Sequence, residues 1–441
     1  MGVKAPLLTY FGEPQQTHEI NQLLNKNLAR IQVNRLIGSS FAITASAVVR
    51  KSTKPHLFIF SDKEQATYFI NDMEGLLKNE VFFFPASYRR AYQIEETDNT
   101  SVLLRVEVLN KLNNNKGIII VTYSEALSEK VVSRNELKNN TITLKNNDHF
   151  SIEDVEKMLQ NLNFKKVDFV IESGQYSIRG GILDVYSFAD EYPFRLEFLD
   201  SDIESIRTFD VNSQLSINIE NKVTIIPNTE AKKSTKNQVS LLEYLPKNTI
   251  IWANDIKYTK GILDNYFNKA EKEYKNNLHY LKPEYLFTNG NMFIHEIKKF
   301  SIIENSTNCF FESEKNIKIK TDPLTKINKR FDLLKDELKQ NKEKNIKNII
   351  LCSSNEQEER LNTILKHDEE KLEYQCILFS LHKGFIDHTN KQAIYTDHQI
   401  FDRYHKFKPK TKFTDKQAIT VKQLTQLKIG DYVTHIDHGI G

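Results

Sequence analysis

The sequence has 441 residues, of which 39% are hydrophobic and 27% are charged, and its formal net charge is +3. A chain of this length is expected to fold as several domains, and this composition is typical of globular proteins rather than disordered ones. The nearly balanced charge gives no reason by itself to expect a nucleic acid partner. No apolar run is long enough to span a bilayer, and Met1–Tyr10 lacks the pattern of a secretory signal.

The three cysteines, Cys309, Cys352 and Cys376, are odd in number and far apart. They fit neither a disulfide framework nor a CxxC metal pair, which favours a reducing cytoplasm as the location. The pair His435-x-x-His438 has a spacing that metal ligands sometimes use, but no further ligand set accompanies it. We therefore predict no metal site, and the sequence offers no catalytic residue.

The first part of the sequence alternates apolar runs with helical patterns. The apolar runs are residues 57–60, 81–84 and 117–121, and the pattern at 63–77 is helical. Continuous apolar runs between helices are typical of parallel strands that are buried on both faces. We predict an α/β domain whose first half covers residues 1–135.

From about Thr141 the pattern changes to short β-rich runs separated by glycines. These predicted strands are residues 169–172, 182–186 and 194–198. An apolar run at 249–252, followed by a helical pattern, returns to the α/β type. We therefore predict a β-rich domain at 136–217, inserted into the α/β domain, whose second half covers 218–322.

The remaining sequence predicts three further segments. An amphipathic helix at 324–342, a strand at 349–352 and a helix at 356–365 indicate another α/β unit. The predicted segments are a small α/β domain at 323–401, a basic linker at 402–426 and a strand-like pattern at 427–441. Because that last pattern stops at Gly-Ile-Gly, we expect the sequence to be part of a longer protein.

The stretch Leu36–Thr44 lies where the first strand-to-helix turn is expected, which is the position of a phosphate-binding loop. Such a loop uses backbone amides and a Lys to hold phosphates, and a Ser or Thr hydroxyl to hold magnesium. The residues that align with Gly-Ser-Gly-Lys-Thr are Gly38, Ser39, Ser40, Phe41 and Ala42. Phe41 replaces the Lys and Ala42 replaces the hydroxyl residue. We predict a helix entry with the shape of a nucleotide-binding turn, but without its chemistry and without a cofactor.

The most informative stretch runs from Glu172 to Ser216 and contains RGGILDV from Arg179, RLEF from Arg195 and DIESIRTFD from Asp202. It resembles the UvrA-binding domain that UvrB shares with the transcription-repair coupling factors (Mfd). The resemblance implies an α/β fold: a UvrB-like, degenerate helicase-type core with an inserted β-rich UvrA-binding domain and a further small α/β domain.

A second match distinguishes the coupling factors from UvrB. The segment LKIGDYVTHIDHGIG at 427–441 resembles the opening of the RNA-polymerase-interacting domain of the coupling factors, a domain that UvrB lacks. UvrB also needs an intact phosphate loop. The resemblance therefore implies the N-terminal, UvrA-recruiting scaffold of a factor for transcription-coupled nucleotide excision repair.

The parent protein implied by this resemblance is an ATP-dependent DNA translocase that displaces stalled RNA polymerase. ATP, magnesium and DNA would be bound by motor domains outside this sequence. RNA polymerase would bind only a longer chain, no membrane is involved, and this chain by itself is not expected to be an enzyme.

In the family, arginines at two motif positions contact UvrA, and the resemblance carries that role to Arg179 and Arg195. A guanidinium group is a planar fork of donors that suits carboxylates across an interface. The alternative is that both arginines are strand residues paired with Glu197 or Asp184. Further candidates for the UvrA surface are Lys165 and Lys166, although a lysine pair before a strand predicted at 167–170 is usually only solvated.

Two other readings of the chain stay open. The chain resembles UvrB closely enough to suggest a damage-verifying ATPase, against which Phe41 and Ala42 argue. A nucleic-acid-binding module could use the basic stretch 403–416 with its aromatic residues, although a flexible tether is the simpler interpretation. The acidic run His367–Glu370 lacks the apolar strand of a helicase acidic box and is interpreted as a charged loop.

Overall fold

The computed structural model describes residues 15–26, 28–34, 36–77, 80–87, 99–114, 117–228, 237–365, 372–403, 434–435 and 439–440. The chain divides into two units, residues 1–408 and 409–441. In the second unit, Thr434–His435 pairs antiparallel with Gly439–Ile440.

Three predicted segments fall largely outside the described residues: the charged loop His367–Glu370, the linker 402–426 and the pattern 427–441. Among the described residues, no helix is both long enough and apolar enough to cross a membrane.

The helices are α1 Gln15–Leu24, α2 Ser40–Val49, α3 Lys63–Leu76, α4 Asn99–Asn114, α5 Arg134–Asn139, α6 Ile152–Asn161, α7 Leu241–Tyr244, α8 Ile256–Asn276, α9 Pro283–Leu286, α10 Gly290–Ile297, α11 Phe331–Glu343, α12 Asn355–Leu365 and α13 Asp397–Ile400. A 3₁₀ helix covers Ser124–Ser128.

The strands are β1 Arg30–Val33, β2 His56–Phe60, β3 Val81–Phe84, β4 Ile119–Tyr123, β5 Val131–Val132, β6 Ile142–Lys145, β7 Lys165–Lys166, β8 Gln175–Arg179, β9 Ile182–Val185, β10 Phe194–Leu199, β11 Asp202–Phe209, β12 Ser216–Glu220, β13 Lys222–Ile225, β14 Gln238–Val239, β15 Ile250–Ala253, β16 Ser301–Asn305, β17 Lys315–Ile317, β18 Thr321–Asp322, β19 Lys347–Cys352, β20 Gln375–Leu378, β21 Phe385–Asp387, β22 Gln392–Thr396, β23 Thr434–His435 and β24 Gly439–Ile440.

The largest sheet is parallel and has seven strands in the order β17-β1-β16-β15-β2-β4-β3. Every residue of β2, β4 and β15 is buried, as expected for parallel strands covered on both faces. Strands from before and after the β-rich insertion are mixed in this sheet, because β1 lies between β16 and β17 and β15 pairs with β2. The predicted α/β fold with an inserted β-rich domain is confirmed.

The insertion forms a separate β module with its own apolar core. Six of its strands form one sheet in the order β12-β11-β10-β9-β8-β7, and β13 pairs with β6 in a second, two-stranded sheet. Val223 and Ile225 of β13 are buried in the same core. The predicted boundary at 217/218 is therefore wrong, since it falls inside β12, and the β module continues to about Ile226.

The strand predicted at 169–172, or at 167–170 in the context of the lysine pair, is also wrong. Only Lys165–Lys166 is a strand here, and residues 167–173 follow an irregular path. Val170 alone of the apolar run is fully buried, in a small cluster with Tyr186 and Phe209. The run is apolar because it covers this cluster and not because it belongs to the sheet.

The third region is the predicted small α/β domain, with five strands in the order β18-β21-β22-β19-β20. Its sheet begins at Thr321–Asp322, slightly before the predicted boundary at 323. The helix predicted from 324 begins only at Phe331, because Asn328 and Lys329 have left-handed φ values of +47° and +65°. The main-chain amide of Lys329 instead donates to the carbonyl of Ile400 at 3.0 Å.

Candidate functional site

A row of side chains crosses the six-stranded sheet of the β module on its outward face, which is the face opposite the main apolar core of the module. In order across the sheet, the paired positions are Ser177, Asp184, Arg195, Arg207 and Ile219. The adjacent positions Leu183, Leu196 and Ile206 are buried in the core. Because side chains alternate between the two faces of a strand, this row lies on the face opposite the core.

Two glycines shape the turn that presents this row. Gly180 has a left-handed φ of +59° in the tight connection between β8 and β9. A Cβ on Gly181 would lie 2.9 Å from the carbonyl oxygen of Phe198, so only glycine lets β10 approach the turn so closely. The RGG motif therefore sets the hairpin that places Arg179 diagonally across from Asp184.

Asp184 is the centre of the row, and its side chain is only 1% exposed. Arg195 donates to it twice, from Nε at 2.7 Å to Oδ1 and from Nη2 at 2.9 Å to Oδ2. Arg179 donates to Oδ2 from its own Nη2. A buried carboxylate is tolerated only when it is paired and hydrogen-bonded, and two guanidinium groups meet that need.

Arg195 is largely committed to contacts within the chain. Its guanidinium lies 4.5 Å from the ring centroid of Phe209, and Nη1 donates to the carbonyl of Gln214 at 3.2 Å. Its side chain is 16% exposed. The hydrogen bonds to Asp184 raise the pKa of Arg195 above its ordinary value, so the group stays charged.

Arg179 is the more accessible of the two arginines, with 37% of its side chain exposed. Its Nη1 donates to the carbonyl of Asp168 at 3.3 Å, and its guanidinium lies 4.9 Å from the ring centroid of Phe169. Phe169 is 60% exposed. A guanidinium has five N–H donors, so Arg179 retains donors that a partner can reach.

The sequence left Glu197 and Asp184 open as partners of Arg179 and Arg195. In the structure both arginines pair with Asp184. Glu197 pairs instead with Arg207 and accepts from the hydroxyl of Ser205 at 2.6 Å. This second pair lies on the same face and is about one-third exposed at both ends, at 30% and 33%.

The two lysines lie at the β7 edge of the sheet and do not act as a unit. Lys166 pairs with Glu156 on α6 at 2.9 Å, and this hydrogen bond raises the pKa of Lys166. Lys165 pairs in register with Gln175, two residues before Ser177, so its position belongs to the outward face. Of the two, Lys165 is the better placed to extend the surface formed by Arg179 and Arg195, which we call the arginine surface.

Sequence reasoning missed the role of Asp184 as a shared anchor, and it missed Phe169 as the ring beneath Arg179. The signal for Asp184 was present, because a tight Gly-Gly turn brings residues 179 and 184 to diagonal positions on one face. The signal for Phe169 was misread as a strand. Other large apolar side chains that this module exposes are Ile171, Leu199, Leu215, Ile217 and Ile219.

The predicted degenerate loop lies at the N-terminus of α2, where Gly38 has a left-handed φ of +57°. All ten residues of α2 are buried. The ring of Phe41 packs in an aromatic cluster, with centroid distances of 5.3 to 6.3 Å to Phe58, Phe60, Phe69 and Trp252. The hydroxyl of Ser40 donates to the carbonyl of Ile37 at 2.6 Å, within the turn itself.

The turn is closed by the small α/β domain. The amide of Ser39 donates to the carbonyl of Lys383 at 2.9 Å, and the amide of Lys383 donates back to the hydroxyl of Ser39 at 3.0 Å. A Cβ on Gly38 would lie 2.8 Å from the carbonyl oxygens of both Lys383 and Gly384. An amide that would otherwise face a phosphate is therefore bound to the chain's own carbonyl.

A buried carboxyl group completes this closure. Asp72 on α3 accepts a hydrogen bond from the amide of His382 at 2.7 Å, and the His382 ring stacks on Tyr68 at 3.5 Å. Burial raises the pKa of Asp72 to about 7, although hydrogen bonds from Ser39 and His382 oppose that shift.

A cavity of about 600 Å³ remains beside the closed turn. It is lined by Phe41, Phe60 and Phe69 and by polar residues at the carboxyl ends of β15 and β16, among them Asn254 and Asn305. Clefts at the carboxyl ends of parallel strands are common ligand positions. Here Phe41 and Ala42 stand at the two positions where a phosphate-binding loop has its lysine and its magnesium-binding hydroxyl residue.

Comparison with known proteins identifies the β module. Residues 142–230 match the family model described as the UvrB interaction domain. The β module is therefore similar to the UvrB interaction domain. The match begins at the first residue of β6 and extends beyond the end of β13, which supports a boundary later than 217/218.

Beyond this domain, the whole chain is similar to transcription-repair-coupling factors. It is 22% identical to that of Bacillus subtilis (strain 168) over 98% of this chain and 43% of the relative. It is 22% identical to that of Haemophilus influenzae over 91% of this chain and 41% of the relative. The factor of Escherichia coli (strain K12) is 24% identical over 44% of this chain and 17% of its own length. The chain thus spans less than half the length of these relatives.

Proposed function

We propose that the UvrB interaction domain of this chain recruits UvrA, and that the chain is the N-terminal scaffold of a transcription-coupled DNA repair factor. The observation that carries this proposal is the match of residues 142–230 to the UvrB interaction domain. The similarity of nearly the whole chain to transcription-repair-coupling factors supports the second part.

The UvrA contact centres on Arg179. Its guanidinium is fixed against Asp184 and Phe169 and still has accessible donors, a combination that suits a carboxylate on the partner. Arg195 borders this centre with a smaller exposed area, and Lys165 and Lys166 lie at the β7 edge.

A titration of purified UvrA against the chain tests the proposal. Replacing Arg179 by Ala should weaken binding by about thirtyfold or more, since truncating one partner of a close charge pair typically costs about 2 kcal/mol or more. Arg207→Ala is the matched control, because Arg207 is also an arginine on this face but is held by Glu197. Equal affinities of the wild type and Arg179→Ala for UvrA would remove Arg179 from the interface.

The α/β core acts as a scaffold and hydrolyses no ATP. Support comes from Phe41 and Ala42 at the two positions that the chemistry needs, and from the closure of the turn by Lys383. This argues against a UvrB-like damage-verifying ATPase.

The parent protein is an ATP-dependent DNA translocase of the reducing cytoplasm, which displaces stalled RNA polymerase. ATP, magnesium and DNA are bound by its motor domains. A longer chain that completes the polymerase-interacting domain should co-purify with RNA polymerase, whereas residues 1–441 should not. Binding of polymerase to residues 1–441 that is abolished by Arg179→Ala would assign the arginine surface to polymerase and not to UvrA.

A further inference from the structure

One carboxylate holds both arginines of the proposed UvrA surface. Oδ1 of Asp184 accepts from Nε of Arg195, and Oδ2 accepts from Nη2 of both Arg195 and Arg179. The Asp184 side chain is itself covered, at 1% exposure, so it is not available for contact with a partner protein.

Each guanidinium is also fixed on its far side. Arg179 lies over the ring of Phe169 and donates to a main-chain carbonyl, and Arg195 does the same with the ring of Phe209. A long side chain that is already ordered loses little conformational entropy when a partner binds. The arrangement has the character of a preorganised site, in which one group fixes the contact groups before the partner arrives.

The cluster keeps a positive charge despite its buried carboxylate. Two guanidinium charges against one carboxylate leave a net charge of +1 for Asp184, Arg179 and Arg195 together. The fitting partner is therefore a surface that offers a carboxylate to the accessible donors of Arg179.

We propose that Asp184 is a positioning residue for UvrA binding: it orients both guanidinium groups toward a carboxylate of UvrA and does not touch UvrA itself. This inference rests on the proposed function of the domain. It assigns to the aspartate of the RGGILDV motif a role separate from that of the two arginines.

For the variant Asp184→Asn, the two explanations predict opposite changes in the affinity for UvrA. If charge alone governed the surface, removing the carboxylate would raise the net charge of the cluster from +1 to +2 and tighten binding to an acidic partner. If Asp184 positions the arginines, binding should weaken by about tenfold or more despite the added positive charge. The affinity for purified UvrA is the measurement.

Glu197→Gln is the matched control. Glu197 lies on the same strand and the same face as Arg195, and its removal adds the same charge without touching Arg179 or Arg195. Its affinity for UvrA should equal or exceed that of the wild type. A loss as large as that of Asp184→Asn would mean that any disturbance of this face weakens binding, and it would overturn the specific role of Asp184.

A double-mutant cycle separates positioning from general structural support. In a chain that already carries Arg179→Ala and Arg195→Ala, the further change Asp184→Asn should leave UvrA affinity within about twofold, because Asp184 acts only through those side chains. A purely structural role would lower the affinity again. All variants are compared below the onset of their thermal unfolding, and Asp184→Glu, which keeps the charge but displaces it, should also bind more weakly.

The outcomes separate the two claims. If the wild type fails to bind UvrA, the proposed function fails and this inference fails with it. If the wild type binds and Asp184→Asn binds equally well or more tightly, the recruitment of UvrA stands and the positioning role of Asp184 is overturned.

Discussion

The arginine surface and the closed turn differ in which of their polar groups are hydrogen-bonded within the chain and which stay accessible. At the arginine surface, the buried group is a carboxylate and the accessible groups are guanidinium donors. At the closed turn, the amide of Ser39 and the carboxyl of Asp72 are both bound by main-chain groups of residues 382–383. The first region leaves guanidinium donors of Arg179 accessible, whereas the second is covered by a segment of the same chain. The shape of a turn is therefore not sufficient evidence for a nucleotide site.

The largest predicted effect is a difference in stability between variants of the two arginine–carboxylate pairs of the β module. Arg195→Ala removes two of the hydrogen bonds that hold the buried Asp184 and should lower the free energy of unfolding by about 3 kcal/mol. Arg207→Ala breaks a pair that is about one-third exposed and should lower it by less than about 1 kcal/mol. Urea denaturation measures both. Equal losses would mean that Asp184 is not stabilised by Arg195 as the geometry indicates.

This expectation differs from what the sequence alone suggests. As exposed strand residues, arginines would contribute little to stability. The buried carboxylate beneath them changes the argument, because removing one partner leaves a poorly compensated charge.

The next prediction tests the closure of the turn. Gly38 and Gly180 have nearly the same left-handed φ, +57° and +59°, but a Cβ on Gly180 would meet nothing within 4 Å. Gly180→Ala should therefore lower the free energy of unfolding by about 1–2 kcal/mol through backbone strain alone. Gly38→Ala should lose about 1–3 kcal/mol more, because its Cβ would press on two carbonyl oxygens of the small α/β domain.

Hydrogen exchange sharpens the same comparison. In Gly38→Ala, the amide of Lys383 should exchange faster than in the wild type, while amides of the β module should be unaffected. Identical losses of stability in the two glycine variants would show that residues 383–384 do not rest against the turn.

The part of the fold that sequence predicted well is the part with strong local patterns. The run at 57–60 lies within β2 and the run at 117–121 overlaps β4, and every residue of both strands is buried, as expected for continuous apolar runs in a core with two sides. The run at 169–172 misled, because an apolar residue such as Val170 can cover a cluster from an irregular segment. The helix start at 324 failed because Asn328 and Lys329 adopt left-handed φ values, which the periodicity of apolar residues does not reveal.

The site follows the same division. Arg179 and Arg195 could be found from a motif, and their anchor Asp184 follows from the hairpin that the motif encodes. The closure of the turn could not be predicted, because it joins residues more than 300 positions apart through the main-chain carbonyl of Lys383. A main-chain acceptor leaves no signature in the type of its side chain.

A third prediction concerns the pH dependence of the closure. The pKa of Asp72 rises from 3.8 to about 7 on folding, so between these values the folded chain holds a proton that the unfolded chain releases. Stability should therefore be greatest at the low end of this window and fall as pH rises toward 7, by at most about 1.4 kcal/mol per pH unit. Asp72→Asn should flatten this dependence and be the more stable protein at pH 8. A wild-type profile that rises through the same window, after correction for acid unfolding elsewhere, would contradict the burial of this carboxyl group.

The last prediction is that the wild type does not bind ATP with magnesium. Calorimetric titration of ATP with magnesium into the wild type should detect no binding tighter than about 1 mM, which corresponds to about 4 kcal/mol. The sharper experiment restores the missing side chains in the double variant Phe41→Lys/Ala42→Thr. If lost side-chain chemistry were the whole reason for the absence of binding, this variant should bind ATP. We expect it not to, because the amide of Ser39 is still bonded to the carbonyl of Lys383, and because a lysine at position 41 would enter an aromatic cluster. Micromolar binding by the double variant would show that the small α/β domain can move away from the turn when a nucleotide binds. The closed turn would then lack only these two side chains as a nucleotide site.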